Sequence, residues 1–242
     1  MSKTIKIANS DALLITDIQN DFLPGGALPV ERGDEVIPVL NEYSRRFEEA
    51  GAPVFASKDW HPQNHMSFKK QGGPWPMHCV QDTKGAKFSS LLKLPKDAVV
   101  VFKATDPMRE SYSVFDGTTF ATELKERNVK RLFIGGLATD YCVLNTTLDA
   151  RKLGYDVVVL MDAVRGIDVE PGDVDAAVER MLKAGAEQAS ASDFPDAVDT
   201  LPVGEAEADL VQKKPTERAE VKKKARLRPR GAVKRIPTER KG

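Results

Sequence analysis

Short apolar runs alternate along this chain with longer stretches in which apolar residues recur at helical spacing. The run Ala12–Thr16 is too short for a helix, stops at Asp17 and reads as a first strand. A loop rich in glycine and proline follows. Glu35–Ala50 then places Val36, Leu40, Tyr43 and Phe47 on one helical face, and Gly51 supplies the stop. Further strands are predicted at Pro53–Ser57, Val99–Lys103, Arg131–Gly135 and Asp156–Met161, with a weaker sixth at Ala186–Ala191. Helices are predicted over Thr118–Arg127, Thr139–Leu153 and Pro171–Ala184, the last with proline in its first turn and Gly185 after it. This alternation predicts a doubly wound α/β domain, with a mainly parallel six-stranded sheet and helices on both faces.

Two segments fall outside the pattern. Residues 58–85 show no periodicity and hold Pro62, Pro74 and Pro76; a stretch of that length inside a compact domain is usually functional or disordered. After about Thr200 the apolar periodicity ends, and the tetrapeptide PTER occurs twice, at Pro215 and Pro237. Charge marks the same boundary. The chain is formally neutral with 36 basic and 36 acidic residues, but from Leu201 onward thirteen Lys/Arg face six Asp/Glu. The expected organisation is a folded domain over residues 1–200 and a disordered basic tail over residues 201–242. That tail would attract polyanions weakly, without aromatic stacking.

Composition narrows the setting. Two cysteines, Cys79 and Cys142, exclude a disulfide scaffold and fit reduced thiols in a cytoplasmic protein. The N-terminus lacks the apolar core of a secretory signal, and no run of 18 apolar residues occurs, so neither export nor a membrane partner is expected.

The candidate chemistry lies at the carboxyl ends of the predicted strands, where open α/β sheets bind ligands. Asp17 ends the first strand, Asp59 and His61 follow the second, Lys103 ends the third, and Cys142 follows the fourth. Cys142 is placed in the first turn of the following helix, where free N–H groups and partial positive charge would lower a thiol pKa and hold an oxyanion. A nucleophilic thiol needs a base and an electrostatic partner, and Asp17 and Lys103 arrive from neighbouring strands. The bland alternative makes Cys142 a small buried hydrophobe, Asp17 a loop anchor and Lys103 a solvated strand end. All three histidines, His61, His65 and His78, fall close together, and Asp59-x-His61 on an extended segment points both side chains one way. Asp with two or three imidazoles suits a borderline divalent ion, Zn²⁺ first, with Fe²⁺ or Mn²⁺ as alternatives. Cys79 has no evident base and reads as structural.

The segments TDIQNDF (16–22), KDWHP (58–62), GPWPMHC (73–79) and GLATDYCV (136–143) resemble the nicotinamidase/pyrazinamidase branch of the isochorismatase-like hydrolases, over roughly residues 10–195. The resemblance implies a metal-dependent cysteine amidase that hydrolyses nicotinamide to nicotinate and ammonia through a thioester, as in NAD salvage, with pyrazinamide as a further substrate. It implies that Asp17, Lys103 and Cys142 form the catalytic triad and that Asp59, His61 and His78 hold the metal. His65 matches a position that is a ligand in some members. Phe22 and Trp75 would sandwich the pyridine ring with Tyr112 nearby. The N–H groups of Ala138, after a cis bond from Leu137, and of Cys142 would form the oxyanion hole. A homo-oligomer is compatible with this picture. Two other readings stay open at this point: an amidase acting on a ureido or carbamoyl substrate, and a binding protein whose metal braces a loop while the tail docks to an acidic partner.

Overall fold

A computed structural model of the chain describes residues 4–195. The basic tail expected over residues 201–242 lies outside the described residues.

The six strands form one fully parallel sheet: β1 (Asp11–Thr16), β2 (Val54–Asp59), β3 (Val99–Lys103), β4 (Arg131–Leu137), β5 (Asp156–Arg165) and β6 (Glu187–Ala189). Their order is β3-β2-β1-β4-β5-β6, so the chain walks outward from β1 in one direction, returns beside it, and walks outward in the other. The switch point lies between β1 and β4, and open α/β sheets bind ligands outside the carboxyl ends of the strands at such a point.

Helices cover both faces, which explains why the central strands β1 and β4 are buried almost throughout, whereas the edge strand β3 alternates. On one face Leu13 and Ile15 pack under α1 (Val36–Glu49), through Leu40, Tyr43 and Phe47. On the other, Ala12 and Leu14 join Phe120 and Leu124 of α2 (Phe120–Glu126), Leu144 of α3 (Leu144–Lys152), and Ala177 and Met181 of α4 (Asp173–Lys183). Among the described residues, no helix is long and apolar enough to cross a membrane.

The predicted elements recur with shifted ends, and the shifts concern the rim. β2 runs two residues further than expected, because β3 pairs with it as far as Lys58–Phe102 and Asp59–Lys103. β5 continues past Met161 to Arg165, because an irregularity between Ile134 and Gly136 re-aligns it with β4 at Gly136–Val164. The helix expected from Thr139 opens as a π turn over Thr139–Val143, and α3 proper begins only at Leu144.

One glycine lets the switch point close. Gly136 has φ +116, and a Cβ there would lie 2.1 Å from the carbonyl oxygen of Thr16, backbone that β1 pairing holds in place. Gly136→Ala is therefore expected to destabilise the domain by about 3 kcal/mol in urea unfolding; an unchanged midpoint would refute this reading of the β1–β4 contact.

Candidate active site

The rim residues named from strand ends converge. Lys103 Nζ lies 3.0 Å from Asp17 Oδ2, 2.5 Å from Asp59 Oδ1 and 3.3 Å from Cys142 Sγ. Adjacency of β1, β2, β3 and β4 brings this about, each delivering one group to one point. All four side chains are buried; Lys103 is 1 % exposed, and thus neither a solvated strand end nor free to leave its partners. Ser57 Oγ donates to Asp17 Oδ1 at 2.7 Å and fixes that carboxylate from β2. Local backbone preference is overridden here: Asp17, Ala104 beside Lys103, and Cys79 beside His78 all have positive φ.

Burial dominates the electrostatics, and the ammonium decides who resists it. Burial pushes the Asp17 carboxyl above the usual carboxylate range, Lys103 opposing and Asp59 adding to the rise. For Asp59 burial acts the same way, but Lys103, with His61 and His78, outweighs it and holds the carboxyl well below that range. Burial would lower Lys103, yet Asp17 and Asp59 carry its ammonium well above its ordinary value. Burial also pushes the Cys142 thiol well up, against the pull of Lys103 and with Asp17 and Asp59 adding to the rise. That corrects the expected depression: Cys142 sits in a buried π turn, not at an open helix start, so its resting form is the thiol.

The aperiodic loop proves ordered. His61 N–H donates to the Cys79 carbonyl at 3.0 Å, and Gln81 N–H donates back to the His61 carbonyl at 2.9 Å. This local pairing sets His78 against His61, with ring centroids 4.8 Å apart. One donor atom each from Asp59, His61 and His78 lies within 4.8 Å of the others.

These residues fit a divalent metal. Both ring nitrogens of His61, 2 % exposed, lack a hydrogen-bond partner, a costly arrangement for a buried imidazole unless a metal takes a lone pair. The His78 Nδ1–H group donates to the Pro76 carbonyl at 2.8 Å, leaving Nε2 free to ligate, and burial lowers His78 toward the neutral form that a ligand must take. His65 stands outside this cluster. Its Nδ1 lies 2.7 Å from Ser67 Oγ and its Nε2 3.0 Å from the Arg109 carbonyl, so both nitrogens are engaged with the loop.

A second trio, Asp17, Asp59 and Cys142, has equally close donor atoms, but its centre is taken by the Lys103 ammonium. Cys79 and Cys142 are both free, and Cys79 is buried without a role in either trio.

Aromatic side chains form the mouth. Phe22 packs on His78 at 5.5 Å, while Trp75 meets Tyr141 at 5.1 Å and donates Nε1–H to Tyr112 Oη at 2.9 Å. Tyr141, 5.4 Å from Tyr112, completes that collar; the sequence reading passed over it although it adjoins Cys142. Ser57 and Gln19 were passed over too, since neither residue type announces itself without a partner. The Leu137–Ala138 peptide is cis, and the Ala138 carbonyl accepts from Tyr141 N–H and Val143 N–H at 3.1 Å each, which folds the π turn under Cys142.

Comparison with known proteins points one way. A family model for the isochorismatase domain matches residues 11–193. The nicotinamidase of Escherichia coli K12 is 40 % identical over 196 residues, spanning 72 % of this chain and 92 % of the relative. Among solved structures, a pyrazinamidase of Pyrococcus horikoshii in complex with zinc is 51 % identical with a TM-score of 0.72, covering 75 % of this chain and 99 % of that one. PnC1 from L. infantum in complex with nicotinate is 34 % identical with a TM-score of 0.74, covering 79 % and 98 %.

Lys103→Met tests the electrostatic core. It would leave two buried carboxylates without their counter-charge, so a loss of about 3 kcal/mol is expected at neutral pH in urea unfolding. A variant as stable as the parent would show that the ammonium is not what holds Asp17 and Asp59 together.

Proposed function

The chain belongs to the isochorismatase-like hydrolases, and from that membership we propose that it is a nicotinamidase: a metal-dependent cysteine amidase that cleaves nicotinamide to nicotinate and ammonia, and pyrazinamide likewise. The observation that carries the reading is the pair of cation sites sharing Asp59, with a buried nucleophile on one and an imidazole lacking hydrogen-bond partners on the other.

In this reading Asp17 takes the proton of Cys142 as the sulfur attacks the carboxamide carbon. The raised Asp17 carboxyl suits that exchange, because burial makes this carboxylate a better proton acceptor than an ordinary one. Lys103 stabilises the developing thiolate, and the N–H groups of Ala138 and Cys142 hold the oxyanion. Protonated Asp17 gives its proton to the departing nitrogen, the C–N bond breaks, ammonia leaves, and an acyl thioester on Cys142 remains. Asp17 then draws a proton from water as the water oxygen attacks the thioester carbon; the C–S bond breaks, Asp17 returns that proton to the sulfur, and the acid leaves as nicotinate with its remaining proton lost to solvent.

Asp59, His61 and His78 would hold the metal, Zn²⁺ by its N/O donor set, with Fe²⁺ or Mn²⁺ as alternatives. When bound, the metal would orient the substrate through its pyridine nitrogen, a positioning role more than a Lewis-acid one. Phe22 and Trp75 would flank the ring, with Tyr112 and Tyr141 steadying Trp75.

Ammonia release from nicotinamide tests the chemistry. Cys142→Ala is expected to lower kcat about a thousandfold or more with folding and metal content retained, and Cys142→Ser to be nearly as inactive. Substantial turnover by Cys142→Ala would eliminate the thioester. His61→Ala and His78→Ala are expected to lose bound metal and raise KM steeply; full activity after exhaustive chelation would sink the metal assignment.

We also infer that residues 1–200 form the complete catalytic unit, since every residue of the proposed site lies before Val143. A chain ending at Thr200 should match the full chain in kcat and melting temperature, and lose any low-salt retention on nucleic acid that the full chain shows. A fall in kcat or melting temperature would show that the tail packs on the domain.

A further inference from the structure

The tripeptide Gln19-Asn20-Asp21 lies between Ile18 and Phe22, just after Asp17, yet its side chains take no part in the mechanism above. Those of Gln19 and Asp21 reach the two segments that carry the metal ligands. Gln19, 0 % exposed, donates Nε2–H to the Asp59 carbonyl at 2.8 Å and to the Ala86 carbonyl at 3.0 Å, while its Oε1 accepts from Asp59 N–H at 2.7 Å. The amide therefore pairs with the Asp59 peptide as a neighbouring strand would, just where β2 ends. Asp21 Oδ2 accepts from Cys79 N–H at 2.7 Å, and Asp21 N–H donates to the Gly85 carbonyl at 3.1 Å. The loop lies so close that a Cβ on Gly85 would stand 2.0 Å from Asp21 Oδ2. Cys79, in the left-handed region at φ 46, is the residue directly after His78, so the Asp21 carboxylate holds the turn that aims that imidazole.

We propose that Gln19 and Asp21 are positioning residues for the metal: Gln19 fixes Asp59, and Asp21 fixes the turn behind His78. The inference rests on the metal assignment above. Its physical basis is that Asp59 ends β2, where β3 still pairs with it on one side but β1 no longer does on the other, and that His78 stands in a loop. The segment 19–21, anchored at the end of β1, supplies a fixed reference to both. Outer groups of this kind typically account for ten- to a hundredfold in metal affinity.

The test is zinc affinity of the purified full chain by competition with a chromophoric chelator, alongside KM and kcat for nicotinamide at saturating zinc. Asp21→Ala and Gln19→Glu should each weaken zinc binding about ten- to a hundredfold. Asp21→Asn, which keeps an acceptor for Cys79 N–H, should recover most of the loss. Asp21→Ala should raise KM more than it lowers kcat, whereas Gln19→Glu should affect both, because Asp59 also touches Lys103. Asn20→Ala is the control: Asn20 Nδ2 donates to the exposed Lys84 carbonyl, away from the ligands, and zinc affinity should not change. Folded Asp21→Ala and Gln19→Glu variants that bind zinc like the parent would overturn the proposal while leaving the metal assignment intact. Loss of fold in both would overturn it too, by assigning the residues to the fold instead of the ligands. A parent that binds no zinc would remove the assignment and the proposal together.

Discussion

The structure around the site depends on one buried ammonium. Taking an ion of that size out of water costs several kcal/mol, and one partner does not reliably repay it. Two unit charges 3 Å apart attract by roughly 5 kcal/mol at an effective dielectric of about 20, so a second carboxylate tips the balance. Lys103 has two, Asp17 and Asp59, from the two strands nearest to it. The cost of the arrangement falls on the acids. Asp59, held between Lys103 and the imidazoles, stays ionised, while Asp17, with less compensation, is pushed toward accepting a proton. Two carboxylates a strand apart thus acquire different chemistry from their surroundings alone.

Asp59 also couples the two halves of the site. Its Oδ1 serves Lys103, and its Oδ2 lies 3.7 Å from His61 Nε2. In the proposed reading, a single side chain would thereby keep the nucleophile on one side and the anchor for the substrate ring on the other at a fixed separation. That economy favours an amidase over the binding-protein reading, in which a buried base, ammonium and thiol at 3.3 Å from that ammonium would have no purpose.

Much of this was legible from local pattern. The positions of the six strands, the helices between them and the candidates at the strand ends follow from periodicities of two and 3.6 and from glycine and proline stops, which are properties of neighbouring residues. Asp17, Asp59, Lys103 and Cys142 were each named from a strand terminus, and parallel topology then required them to share one edge. Boundaries were less legible where a partner strand set them, as at Asp59 and Arg165, since the extra pairs form only once β3 and β4 lie alongside.

What the sequence determined by itself was therefore which residues reach the rim; the tertiary structure decided what each does there. His61, His65 and His78 look equivalent along the chain, but the pairing of His61 with the segment 79–81 brings His78 to it, while Ser67 and the Arg109 carbonyl occupy His65. Cys142 reads as a helix-start thiol of low pKa, and its burial within the π turn reverses the sign. Gln19 carries no signal of its own, because an amide acquires meaning only from the peptide it pairs with. Proton affinity, ligation and positioning depend on distances between segments well separated along the chain, 40 residues for Gln19 and Asp59 and 39 for Lys103 and Cys142, and those distances are fixed by strand order and loop register, which no local pattern contains.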